Sequence, residues 1–140
     1  MYYIGVDLGT SALKTLLMDS EGAVLNIASR EYPLEFPHPG WSQQKPEDWQ
    51  KAVFECIPEL TKDIDRSKVA GIGVGGQMHG LVVLDKNDAV IRPAILWNDT
   101  RSAEECAEMM RELPALSDLG GSLAMPGFTA PKLRWVARHE

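Results

Sequence analysis

The opening of the chain constrains its fold more than any other stretch. Residues 3–6 and 12–19 are rich in strand formers, and only the short Gly9-Thr10-Ser11 connection separates them. After Ser20-Glu21-Gly22 turns the chain again, residues 24–31 make a third run of the same kind. Connections this short join antiparallel neighbours, because a parallel crossover needs a dozen or more residues. The opening therefore predicts a meander of three antiparallel strands, not a strand that runs directly into a helix.

Further on, residues 33–46 are dense in Pro, Gly and aromatics, among them Phe36-Pro37-His38-Pro39-Gly40-Trp41, and read as an ordered loop. Pro46 suits the first turn of a helix, with Glu47 and Asp48 favouring its amino-terminal dipole. Trp49, Val53, Cys56, Ile57, Leu60 and Ile64 recur at helical spacing, and Pro58 among them predicts a kink. Residues 69–74 form a short apolar run that ends in Gly75-Gly76. Short strands are expected at 81–84 and 90–91, around the turn Lys86-Asn87-Asp88, and again at 94–97. Ser102-Ala103-Glu104-Glu105 resembles a capping box ahead of a helix, and Thr129 with Pro131 starts a last one. The expectation is one α/β domain over residues 1–140 with a mixed sheet. Because the pattern ends inside a helix, without a cap or polar tail, the domain is expected to be truncated at its carboxyl end.

A net charge of −6, from 14 Lys and Arg against 20 Asp and Glu, argues against a nucleic-acid or anionic-membrane partner, since both need clustered positive charge. The start has neither a basic n-region nor a long apolar run, so a cytoplasmic protein is expected. Cys56 and Cys106 lack a CxxC partner and fall on apolar helical stripes, where reduced, buried thiols are expected.

Three segments carry chemistry. Asp7-Leu8-Gly9-Thr10-Ser11 puts a carboxylate at a strand end before a small-residue turn, which suits Mg²⁺ held through its water shell and phosphate oxygens approached by backbone N–H and hydroxyl groups. Lys14 adds positive charge one hairpin turn later; the bland alternative is an Asx-type turn. Gly73-Val74-Gly75-Gly76-Gln77-Met78-His79-Gly80 places a glycine-lined polar turn at the end of a buried strand. There Gln77 and His79 offer hydrogen bonds to hydroxyls and Met78 an adaptable apolar wall, unless the segment is a plain β-turn. In Ala94-Ile95-Leu96-Trp97-Asn98-Asp99-Thr100-Arg101, Trp97 suits stacking on a sugar face, or is simply core. Asp99 is either a substrate contact or a helix cap paired with Arg101.

The opening hairpin resembles that of the actin, Hsp70 and sugar-kinase superfamily, whose fold is ribonuclease H-like. Together the three segments resemble the FGGY family of carbohydrate kinases, a likeness extended by Pro39-Gly40-Trp41-Ser42 and by Pro126-Gly127-Phe128-Thr129-Ala130-Pro131-Lys132. Within the family, Gly76-Gln77-Met78-His79-Gly80 and Trp97-Asn98-Asp99-Thr100-Arg101 are closest to the members that phosphorylate D-xylulose. The resemblance implies ATP and Mg²⁺ as cofactors and assigns Asp7 to the catalytic metal site. It assigns Gly9, Thr10, Ser11 and Lys14 to the phosphates, and Met78, His79 and Trp97 to the sugar; Gln77 and Asp99 join them as candidate sugar contacts by their own chemistry and place in the same segments. The family's glycerol kinases carry an Arg-Glu pair where Met78 and His79 stand, which points away from glycerol. It further implies transfer of the ATP γ-phosphoryl group to the 5-hydroxyl of D-xylulose, by a base that lies later in a longer chain, so these residues alone should be inactive. A homodimer is compatible with the family. The other readings are a kinase of another sugar or polyol, an actin-like or Hsp70-like ATPase, and a binding module without catalysis.

Overall fold

The computed structural model describes all residues, Met1–Glu140. In chain order the elements are β1 (Tyr2–Leu8), β2 (Ala12–Asp19), β3 (Val24–Glu31), β4 (Gln43–Gln44), α1 (Pro46–Leu60), a 3₁₀ turn (Arg66–Lys68), β5 (Val69–Gly76), β6 (Ala94–Ile95), α2 (Ala103–Glu112), α3 (Leu116–Gly120) and α4 (Thr129–His139). They gather into two compact units, one of Met1–Leu34 with Pro46–Gln77, the other of Glu35–Lys45 with Met78–Glu140.

In the first unit the sheet order is β3-β2-β1-β5. The meander expected from the short turns is present: β1 and β2 pair antiparallel, as do β2 and β3, while β5 joins β1 in parallel and makes the sheet mixed. Side chains alternate between faces, so Ile4, Val6, Leu13, Leu17 and Ala28 are buried together against Ala52, Cys56 and Leu60 of α1. Burying Leu13 or Leu17 fully contributes roughly 1.5–3 kcal/mol each. Asp7 lies on the opposite, open face, directly across from Lys14 on β2 and Gly75 on β5.

Helix α1 begins at Pro46, as its missing N–H and fixed φ favour. The apolar spacing predicts helix as far as Ile64, but α1 ends at Leu60 with Pro58 in its last turn. Proline removes one backbone donor there, and Thr61 closes the end by donating both its N–H (3.1 Å) and its hydroxyl (2.8 Å) to the Ile57 carbonyl. Ile64 still packs on the core, from the turn that follows.

The second unit holds a two-stranded antiparallel ribbon of β4 and β6, with α2, α3 and α4. Its strands are shorter than the sequence predicts. Residues 81–84 and 90–91 form only the single bridges Leu81↔Ile95 and Leu84↔Val90. The cause is local: the Asp85 carboxylate accepts from the Asn87 and Ala89 N–H groups at 2.7 and 2.9 Å, which draws the backbone into a turn in place of a ladder. The strand expected over 94–97 extends only to Ile95: one further ladder-type bond runs from the Leu96 N–H to the Ser42 carbonyl, and the chain then turns through a bond from Asp99 N–H to the Leu96 carbonyl.

The expected capping box does not form either. Ser102 precedes α2, but its hydroxyl donates to the Pro126 carbonyl at 3.0 Å, and Glu105 faces His139 and Arg138 of α4. A partner from a distant segment outcompetes the local cap. Leu81, Ile95 and Trp135 form this unit's core, with Trp41 edge-on to Trp135. Cys56 and Cys106 are both buried free thiols, and burial pushes both pKa values up, as expected of inert cysteines. No helix is long and apolar enough to cross a membrane.

Candidate functional site

The first unit carries the residues expected to meet phosphate. The turn after β1 is tight: the Gly9 N–H donates to the Ala12 carbonyl at 3.1 Å, and a Cβ on Gly9 would lie 3.0 Å from that oxygen. Tyr32, just past β3, donates its hydroxyl to the Gly9 carbonyl and so clamps the turn from below. Burial, seconded by the charge of Asp7, pushes the phenol up to about 12, which keeps it a donor at every ordinary pH. Thr10 donates to the side-chain oxygen of Gln77 at 3.3 Å, and the Gln77 N–H donates to the Leu8 carbonyl at 2.8 Å. Gln77, expected beside a sugar, therefore joins the hairpin expected to hold phosphate. Gly76 makes that approach possible, since a Cβ there would come within 2.9 Å of the Leu8 carbonyl oxygen.

Asp7 is exposed at the end of β1, in a row with Lys14 and above the turn. No group of three His, Cys, Asp or Glu side chains is placed to cage a metal ion. A lone exposed carboxylate beside a turn of small residues fits magnesium, which keeps several waters and takes its remaining ligands from phosphates.

In the second unit a cavity of about 300 Å³ opens between the loop after β6 and the segment leading into α4, with His79 at its edge. Trp97 and Phe128 give it aromatic walls, Asn98 and Thr100 bring polar groups, and Asp99 lies at its base with its carboxylate turned to other partners. Trp97 is 44% exposed, so it is an open aromatic surface and not core. His79 adopts a positive φ of 58° and lays its ring on Phe128, with centroids 4.3 Å apart. Met78 is 55% exposed and lies outside this lining.

Asp99 is buried beneath the wall. Its oxygens accept from Arg101 Nε (3.0 Å to each) and Nη2 (2.8 Å), from the Arg101 N–H (2.9 Å) and from the Ser42 N–H (2.6 Å). The Arg101 guanidinium in turn lies 3.8 Å over the Trp41 ring. Both charged side chains are fully buried, and their pairing fixes the loop that presents Trp97.

Gly127 is held to its identity by contact: a Cβ there would sit 2.2 Å from the Trp97 carbonyl oxygen. Gly127→Ala should push the two walls apart, at a cost of about 1–3 kcal/mol in stability. Urea unfolding checks it, and an unchanged midpoint would show that the Trp97 loop yields freely.

Sequence reasoning missed Tyr32, Gly127, Phe128 and Lys132, whose side chains or backbones shape these sites. For the last three the only signal was the string at residues 126–132; Tyr32 carried none, being one more aromatic after a strand.

The chain matches the N-terminal domain of the FGGY family of carbohydrate kinases over residues 2–140. It is 47% identical to the xylulose kinase of Klebsiella pneumoniae over 138 residues, which cover 99% of this chain and 29% of that one. Among solved structures, the xylulose kinase of Rhodospirillum rubrum superposes with a TM-score of 0.93 at 33% identity, over 100% of this chain and 30% of that one. The gluconate kinase of Lactobacillus acidophilus gives a TM-score of 0.89 at 31% identity, over 99% of this chain and 28% of that one. The chain thus spans less than a third of the length of these relatives, whose fold is that of the actin-like ATPases. A tight phosphate-type hairpin, an aromatic pocket and a match along the whole chain converge on one conclusion: the chain belongs to the FGGY family of carbohydrate kinases and corresponds to their N-terminal domain.

Proposed function

We propose that this segment serves an ATP-dependent kinase that phosphorylates D-xylulose on its 5-hydroxyl, and that it supplies the sugar wall and one phosphate hairpin. The observation that carries the reading is the pocket of about 300 Å³ with Trp97, Phe128 and His79 around it. That is the low end of small-ligand sites and the scale of a pentulose, whose C–H faces stack on aromatic rings while its hydroxyls seek polar partners. His79 hydrogen-bonds hydroxyls, Trp97 and Phe128 take the apolar face, and the buried Asp99–Arg101 pair holds the Trp97 loop in place. Met78, at the start of the same turn, stands outside the lining, and any contact it makes with the sugar would come from the pocket's rim.

In the other unit, Gly9, Thr10 and Ser11 offer N–H and hydroxyl donors to phosphate oxygens, and Lys14 balances their charge. Gln77 braces this hairpin through Thr10. Asp7 would hold a magnesium ion through its water shell. Magnesium, when bound, would neutralise charge on the transferring phosphoryl group. A base and the rest of the nucleotide pocket come from the part of the relatives' length that this segment does not span, and sugar-dependent ADP release is expected only when that part is present. A kinase drawing on ATP as donor would work in the cytoplasm.

The test is calorimetric titration of a full-length kinase carrying this segment. His79→Ala should weaken D-xylulose binding by about 1–3 kcal/mol, the cost of an unpaired buried hydroxyl partner, and leave ATP affinity nearly unchanged. Unaltered sugar affinity would reduce His79 to a turn residue. A panel of D-xylulose, gluconate and glycerol tests the sugar, and preference for gluconate would favour the second reading, supported by the likeness to the gluconate kinase fold.

A further inference from the structure

Two backbone carbonyls on opposite sides of the pocket converge on a single ammonium group. Lys132, in the first turn of α4, is fully buried, and its Nζ donates to the His79 carbonyl at 2.9 Å and to the Gly127 carbonyl at 2.6 Å. The Thr129 hydroxyl adds a third, longer bond to the His79 carbonyl at 3.3 Å. Lys132 makes no ion pair. The ionisable groups that act on it are Asp99, which favours the charged form, and Arg101, which opposes it.

A buried lysine without a carboxylate partner is costly, and desolvation pushes its pKa down to about 8. An apolar residue would fill that space more cheaply. What the ammonium accomplishes is geometric. His79 has a φ of 58°, a region that residues other than glycine seldom occupy, and its carbonyl is the group that Lys132 holds. Gly127, the other end of the tie, is the residue packed against the Trp97 carbonyl.

We propose that Lys132 is a positioning residue for the sugar pocket: by bridging the carbonyls of His79 and Gly127, it holds His79 in its left-handed conformation against Phe128 and sets the spacing of the two walls. This rests on reading the pocket as the sugar site.

In a full-length kinase carrying this segment, Lys132→Met should raise the KM for D-xylulose tenfold or more, with kcat falling far less and the KM for ATP unchanged. Lys132→Gln keeps an N–H donor and should recover part of the loss. The wild-type KM for sugar should climb as the pH passes about 8, where Lys132 loses its proton, and this limb should vanish in Lys132→Met. Stability should move the other way. Because the folded-state pKa lies below the ordinary 10.5, the unfolded chain holds more protons between about 8 and 10.5, and the stability of wild type relative to Lys132→Met rises with pH across that window. A lysine that served only folding would make sugar affinity follow stability, and that outcome overturns the proposal.

Proton NMR of the ligand-free protein supplies a readout independent of the sugar. The His79 ring resonances should carry the ring-current shift of Phe128 in wild type and lose it in Lys132→Met; their persistence, with an unchanged sugar KM, also overturns the proposal. If Lys132→Met fails to fold, Lys132→Gln and the wild-type pH profile carry the test. Should the His79 resonances depend on Lys132 while D-xylulose fails to bind wild type, the tie would stand and the sugar reading would fall.

Discussion

Asp7→Asn in a full-length kinase carrying this segment should lower kcat on the order of 10²–10³-fold, the usual loss when one preorganised electrostatic partner of a developing charge is removed. Asparagine keeps the shape and loses the charge on which the proposed hold on a metal ion's water shell depends. D-xylulose binding should stay within about twofold, because the sugar contacts proposed above all belong to the other unit. Stability should hardly change, since Asp7 is exposed and removing it leaves no buried group unpaired. Parallel measurement of turnover, sugar affinity and the thermal midpoint checks all three. Near-normal turnover would falsify the assignment of Asp7 to the phosphates and leave it an ordinary residue at a strand end.

Asp99→Ala should have the largest effect on folding. The carboxylate and the Arg101 guanidinium are both fully buried, so truncating one leaves an uncompensated charge in the interior. The expected cost is about 3–5 kcal/mol. The Ser42 N–H, which donates to Asp99 at 2.6 Å, would lose its partner as well. The Trp97 loop should loosen with it, and sugar affinity should fall together with stability. Asp99→Asn, which still accepts hydrogen bonds, should cost less. Urea titration of the three proteins gives the comparison, and an Asp99→Ala midpoint within error of wild type would show that water reaches the pair.

These two carboxylates mark how far the sequence reaches. Asp7 was legible because everything that places it is local: strand formers on either side, a connection too short for anything but a hairpin, and a period of two that sends Ile4 and Val6 to the core and Asp7 to the open face. The three opening strands and the start of α1 were readable for the same reason, and so were the two buried cysteines on helical stripes. Asp99 was ambiguous because its partners are not all local. Arg101 is two residues away, but Ser42 is 57 residues away, and nothing in either segment announces the other.

Where local chemistry competed with long-range partners, tertiary structure decided. Ser102 and Glu105 have the spacing of a capping box, yet Pro126 and α4 claim both side chains. Gln77 reads as a sugar ligand by its neighbours in sequence, and only the fold shows that its side chain also accepts from Thr10, on a strand-end hairpin 67 residues earlier. In the sequence Lys132 is only the end of the string at residues 126–132, and only the fold brings the His79 and Gly127 carbonyls to it. By itself the sequence determined the three opening strands, their hairpin and the family, because periodicity, turn chemistry and contiguous motifs are properties of neighbours along the chain. The pocket, its buried ion pair and its lysine tie were decided by the tertiary structure, because hydrogen bonds between distant segments depend on distances that no local pattern encodes.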